Sequence, residues 1–216
     1  MPPLSIMIKP ASSLCNMRCE YCFYHNVTEL REVTSFGIMT NETADNLIEK
    51  ALRFADGESV AFAFQGGEPT LAGLDYFAFF VNTVKELNKK KSPVFYGIQT
   101  NGTVIDEKWA EFLHENNFLV GLSLDGDLEA NKFRKRPGGE NSFYTILDTA
   151  RLLEKHCVEF NILTVLTGYC AENIERIYSF FRFHRFGYLQ FIPCLRPFGS
   201  TEKSELYMTP EQYADF

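Results

Sequence analysis

The sequence predicts an α/β fold, a parallel sheet of six strand–helix units in one domain. Short runs rich in β-branched and aromatic residues alternate with longer segments of helical period. The short runs are nearly continuous in apolar residues, as expected of parallel strands covered by helices. Unusual residues fall at the carboxyl ends of these runs, where parallel α/β folds build their sites. Six units exceed most open sheets and fall short of a closed eightfold barrel.

Taken in order, "SIMIKP" is the first strand and a cysteine-bearing stretch follows it. A helix is expected from about Asn41 to Phe54, opened by the cap-like "TNET" and given an apolar face by Leu47, Ile48, Ala51 and Leu52. "VAFAFQ" is the second strand, ending in "GGEPT", with a helix over about Leu74–Lys90. "VFYGIQ" is the third, ending in "TNGT"; Asp106 caps the next helix, where Trp109, Phe112 and Leu113 recur at helical spacing. "FLVGLSLDG" is the fourth, and a charged loop, "DLEANKFRKRPGGENS", parts it from a helix around Phe143–His156. "EFNILTVLT" and "YLQFIPC" are the fifth and sixth, with a helix over about Glu172–His184 between them. In the terminal "TPEQYADF", Thr209 reads as a cap and Pro210 as the first helical residue. A helix that ends within two turns is marginal alone, so the sequence reads as part of a longer protein.

Composition narrows the function. A net charge of −7, with no Lys/Arg run longer than Lys89-Lys90-Lys91, argues against a nucleic-acid partner. No segment reaches the ~18 apolar residues of a membrane helix. The apolar start is short, broken by Lys9-Pro10, and lacks the features of a signal peptide. A cytoplasmic setting is expected, where the six cysteines stay reduced unless they bind metal.

Cys15, Cys19 and Cys22 stand in C-x3-C-x2-C spacing within "SLCNMRCEYCFYH". A structural zinc site needs four ligands, and His25 could be the fourth. A disulfide leaves one cysteine over in a reducing compartment. The third reading is a 4Fe-4S cluster held by three thiolates, with one iron open to a ligand.

With an aromatic, Tyr21, just before the third cysteine, this motif resembles that of the radical S-adenosylmethionine superfamily. The resemblance extends over the whole chain: "GGEPT" (Gly66–Thr70) is similar to the family's Gly-Gly-Glu motif, and "QTNG" and "SLDG" also sit where the family has them. More narrowly, "MPPLSIMIKPASSLCNMRCEYCFYH" and "FAFQGGEPTLAGL" resemble anaerobic sulfatase-maturating enzymes.

The resemblance implies a TIM-like (β/α)6 partial barrel of the radical SAM type. It implies that Cys15, Cys19 and Cys22 ligate a 4Fe-4S cluster whose open iron chelates the amino and carboxylate groups of S-adenosylmethionine, displacing His25 as a ligand. Tyr21, Gly66, Gly67, Glu68, Ser123, Arg134 and Leu195 would bind that cofactor. The glycines would admit backbone close to the ligand, Glu68 would meet its amino group, and Arg134 its carboxylate. Tyr21, Phe23 and Tyr24 would wall the pocket. The family pattern holds one more residue between the Asp-Gly pair and this arginine, which would slip the assignment to Lys135, but "KFR" aligns best with the usual aromatic–Arg pair. Taken alone, a Gly-Gly after a strand is most often a plain turn, Ser123 a strand-end hydrogen bonder, Arg134 a solvated charge and Leu195 ordinary core. Gln65, Gln99 and Asn101 are as suited to tying down the rim as to touching ligand. Cys157 and Cys170 are expected as small buried hydrophobes, and Cys194 as packing at the rim.

The implied activity is oxidation of a cysteine or serine of a sulfatase polypeptide to Cα-formylglycine, with a low-potential electron donor such as ferredoxin or flavodoxin. The family continues into a cysteine-rich domain with two further clusters and an acidic residue proposed as the base; this sequence contains neither. The alternatives are a radical maturase of another peptide, and a zinc-stapled binding module that gives Glu68 no role in its glycine turn.

Overall fold

A computed structural model describes residues 3–196 and 204–215, apart from the side chains of 25, 26 and 29. Six parallel strands form one sheet in sequence order: β1 (Leu4–Ile8), β2 (Val60–Phe64), β3 (Val94–Thr100), β4 (Phe118–Ser123), β5 (Phe160–Leu166) and β6 (Leu189–Pro193). The sheet curls into a half-barrel, as the sequence predicts. Each crossover carries helix: α1 (Phe23–Glu29), α2 (Asn41–Ala55), α3 (Leu74–Leu87), α4 (Glu107–Glu115), α5 (Phe143–Lys155), α6 (Gly168–Glu172) and α7 (Ile174–Phe183), with α8 (Pro210–Asp215) after β6. Thr40 and Asp106 cap their helices as expected, accepting from Thr43 N and Trp109 N. Thr209 and Gln212 form a reciprocal cap at α8, Thr209 Oγ1 accepting from Gln212 N and Gln212 Oε1 from Thr209 N. The α8 turn lies against α6, where Gln212 Nε2 donates to Glu172 at 2.8 Å.

Alternate strand residues differ in burial. Val60, Phe62, Phe64, Phe118, Val120 and Leu122 are buried on the outer face, under the helices. There Phe64 meets Phe77 and Phe80 at ring distances of 4.8 and 5.0 Å, and Phe77 meets Trp109 at 5.2 Å. Each buried ring contributes roughly 1.5–3 kcal/mol. The concave face is open: Met7, Phe95 and Leu119 are exposed there. The small α1 and α6 helices were not expected. α1 starts directly after Cys22, in residues too few to show a helical period.

Candidate functional site

The loop after β1 carries the cysteines across the carboxyl ends of the strands, and three other loops hold it there. Gly67 N donates to Ser12 O (3.1 Å) and Glu68 N to Leu14 O (2.7 Å). From the loop itself, Arg18 N donates to Lys135 O (2.7 Å) and Glu20 N to Phe133 O (3.0 Å). The segment read in the sequence as a charged spacer therefore flanks the cysteines. Gly66 and Gly67 take a more specific role than admitting ligand. A Cβ on Gly67 would lie 2.1 Å from Leu14 O, and one on Gly66, at φ +118, 2.9 Å from Ser12 O. Only glycine lets the cysteine loop approach this closely.

Glu68 is buried at the end of β2. Its Oε1 accepts from Thr70 N (3.1 Å), Thr70 Oγ1 (2.7 Å) and Thr100 Oγ1 (2.7 Å), and its Oε2 from Asn101 N (2.7 Å). Burial raises its pKa even so, because loss of solvent outweighs these neutral donors. Asn101 extends the tie: its Nδ2 donates to Asn16 Oδ1 (2.9 Å) and lies 3.9 Å from Cys15 Sγ. Asn16 Nδ2 in turn donates to Thr103 Oγ1 (2.9 Å). The turn after β3 thus fixes the first cysteine, so Asn101 is a rim tie. Gln65 and Gln99 are half-buried on the same rim.

A second buried carboxylate stands beyond β4. Asp125 is 0% exposed; its Oδ1 accepts from Val165 N (2.9 Å), and its Oδ2 faces both the Tyr21 hydroxyl, which donates to it, and Arg134 Nε at 3.1 Å. The Arg134 guanidinium, 5% exposed, also lies 5.6 Å from the Tyr21 ring centre. Burial alone would lower the Arg134 pKa, but the Asp125 charge and other neighbours raise it, so this cation is permanent. Lys135 pairs with Glu20 at the surface, so Arg134 is the inward cation of the pair of candidates. Nothing in the sequence singles out Asp125 beyond its place in "SLDG"; its partners come from three distant segments.

Ser123 is buried at the end of β4, and its hydroxyl has no hydrogen-bond partner among the described residues. Leu195, just past β6, is exposed rather than ordinary core. Tyr24 is half-buried with Lys9 Nζ 4.7 Å from its ring centre, whereas Phe23 stacks on Tyr24 and faces solvent, so the aromatic wall is partial. Cys170 and Cys194 are buried as expected, but Cys157 is exposed: it takes a left-handed conformation (φ +53) just past the end of α5, which turns the chain outward.

The thiols of Cys15 and Cys19 are partly buried, and burial pushes them up to about 11 and about 12; Arg134 opposes the shift at Cys19. Thiolates there need positive charge, which bound iron supplies. The His25 side chain lies outside the described residues. Among the described residues, no group of three or more His, Cys, Asp or Glu side chains has the geometry to hold a single metal ion. The donors fit a larger, anion-bearing guest: three thiols share the rim with the buried Arg134, whose Nε pairs with Asp125 and whose terminal nitrogens have no hydrogen-bond partner among the described residues. The Ser123 hydroxyl lacks a partner beside them.

The Radical SAM superfamily matches residues 10–183 of the chain. All of the chain is 46% identical, over 218 residues, to a cysteine-type anaerobic sulfatase-maturating enzyme of Clostridium novyi, covering 58% of that protein. A serine-type anaerobic sulfatase-maturating enzyme of Bacteroides thetaiotaomicron is 30% identical over 230 residues, which span 99% of the chain and 55% of that protein. A solved structure described as native anSMEcpe with bound AdoMet and Kp18Cys peptide superposes with a TM-score of 0.93 at 44% identity, covering all of this chain and 58% of that one. The chain thus spans under two thirds of the length of these relatives.

Proposed function

The chain belongs to the radical SAM superfamily, and on that basis we propose that it is the cluster- and S-adenosylmethionine-binding part of an anaerobic sulfatase-maturating enzyme of the cysteine type. The observation that carries the reading is the meeting, on one rim, of three thiols with a buried guanidinium whose Nε edge is held by Asp125 and whose terminal nitrogens have no hydrogen-bond partner among the described residues. The cysteine preference follows the higher identity to cysteine-type relatives.

In this reading Cys15, Cys19 and Cys22 hold a 4Fe-4S cluster and leave one iron open. Arg134 and Ser123 receive the carboxylate of S-adenosylmethionine. Gly66, Gly67 and Glu68 face its amino group, and Tyr21 and Leu195 flank its adenine. When bound, cluster and cofactor together supply a one-electron cleavage that yields hydrogen-abstracting power. The residues of the chain position and shield. The hydrogen-bonded ties among the four loops keep the cysteine loop seated, and Arg134 orients a carboxylate through a planar fork. The CH2–SH group of the target cysteine would give one hydrogen atom to the cleaved cofactor, one proton to a base and one electron to an iron–sulfur centre, and water would then replace sulfur to give the aldehyde and hydrogen sulfide. No base is assigned within this chain. The substrate is a sulfatase polypeptide, the electron donor a low-potential carrier such as ferredoxin or flavodoxin, and the setting the cytoplasm. Among the described residues, no helix is long and apolar enough to cross a membrane.

The test is anaerobic purification of the whole protein that carries this chain, followed by incubation with S-adenosylmethionine, a low-potential reductant and a Cys-x-Pro-x-Arg peptide. Iron with labile sulfide and an aldehyde-bearing peptide are expected. Cofactor cleavage with an unmodified peptide would reject the sulfatase assignment. A colourless protein with one zinc would reject the radical reading.

A further inference from the structure

We infer that Asp125 is a positioning residue for S-adenosylmethionine, acting through Arg134; this rests on the proposed cofactor site. Asp125 is 0% exposed, and the one thiol against it among the described residues, Cys170 Sγ at 3.8 Å, meets its backbone carbonyl and not its carboxylate. It meets three partners from three parts of the chain: it accepts from Val165 N on β5 and from the Tyr21 hydroxyl between two cluster cysteines, and it pairs with Arg134 Nε, in the loop after β4, at 3.1 Å. Only a carboxylate accepts at both ends of a planar group. An amide in its place would turn an NH2 toward either Val165 N–H or the Tyr21–Arg134 side, so one donor would always face another.

The consequence lies in the guanidinium. Asp125 draws one edge of Arg134 inward, and Tyr21 covers its face. The two terminal nitrogens are left as the outward end of the fork, with no hydrogen-bond partner among the described residues. Asp125 also cancels the cost of burying that charge without occupying the donors that a ligand carboxylate needs. Through Tyr21, the same carboxylate couples the fork to the loop that bears Cys19 and Cys22. Asp125 therefore fixes the distance between the cluster ligands and the carboxylate-binding fork.

The experiment is a double-variant cycle on the reconstituted whole protein. Affinity for S-adenosylmethionine is measured by equilibrium dialysis, with iron content and melting temperature alongside. Asp125→Asn is expected to weaken binding about tenfold when Arg134 is present and by less than about twofold in an Arg134→Ala background, because residues acting as one unit are not additive. Loss of Asp125 leaves a buried cation unpaired and can destabilise the fold. Tyr21→Phe, which keeps the charge pair, is therefore the milder probe. It is expected to weaken binding about threefold with Arg134 present and to have no effect without it. Iron content stays at the wild-type level in both. Equal losses in the two backgrounds, or none in either, would overturn the inference. Wild-type affinity in Arg134→Ala alone would instead remove the cofactor-site reading beneath it.

Discussion

Glu68 and Asp125 are both buried carboxylates at strand ends on the same rim, yet they are held in opposite ways. Glu68 is ringed by four neutral donors, two of them threonine hydroxyls, and ties the β2 turn to the β3 turn. Asp125 meets a cation, a phenol and one backbone N–H. Neutral donors fix a carboxylate's position while leaving its charge uncompensated, whereas a guanidinium cancels that charge and is itself oriented. An amino-acid head group carries both signs. The proposed site would meet it with an uncompensated carboxylate on one side and a guanidinium backed by a carboxylate on the other. In the proposed site, two residues with the same functional group would divide into a charge that recognises and a charge that positions.

The strongest way to break the Glu68 half is to unseat the loop it holds. Gly67→Ala places a Cβ 2.1 Å from Leu14 O. Because the obstacle is backbone, the cost is about 3 kcal/mol, or about a hundredfold in the equilibrium that seats the cysteine loop. Iron content after reconstitution should collapse while the far-UV circular dichroism is kept; normal iron loading would show that the close approach is dispensable. Next in size is Glu68→Gln. Its NH2 must face at least one of the four donors, at about 2 kcal/mol, read as a lower midpoint in urea unfolding. Since its donors are neutral, this loss should not change with salt; a salt-dependent loss would mean an unseen cation and would erase the contrast with Asp125.

The smallest effect sharpens the comparison at the thiols. Cys15 lies in reach of Glu68 and Cys19 in reach of Asp125 and Arg134. In iron-free protein both should alkylate slowly at pH 8, and both rates should rise about tenfold per pH unit, since the thiolate fraction does so below the pKa. Cys19, near 12, should trail Cys15, near 11. The trail is only about threefold, because the less acidic thiolate is the better nucleophile. Mass spectrometry of iodoacetamide-treated protein reads both sites. A Cys19 faster than Cys15 would mean that Arg134 dominates there over burial.

Much of the fold was legible because its signals are local. Strand β2 reads from "VAFAF", and the α4 cap from Asp106, since β-propensity and capping act within a few residues. The site was legible in part. Cys15, Cys19, Cys22, Gly66, Gly67 and Glu68 stand in compact motifs, whereas Ser123, Arg134 and Leu195 were placed by likeness to a family. The exposure of Cys157 was missed because a left-handed residue past a helix end leaves no mark when it is not glycine.

By itself the sequence determined the order of six strand–helix units, the cluster-type cysteine spacing and the placement of every motif at a strand's carboxyl end. Periodicity, capping and glycine requirements are properties of neighbouring residues, so a linear reading captures them. The tertiary structure alone decided that the glycine turn cradles the cysteine loop, that Glu68 is tied by neutral donors, and that Asp125 joins Tyr21, Arg134 and Val165. These contacts join residues up to 104 positions apart. They exist only once the parallel sheet has brought five strand ends to one rim, and no local propensity encodes them.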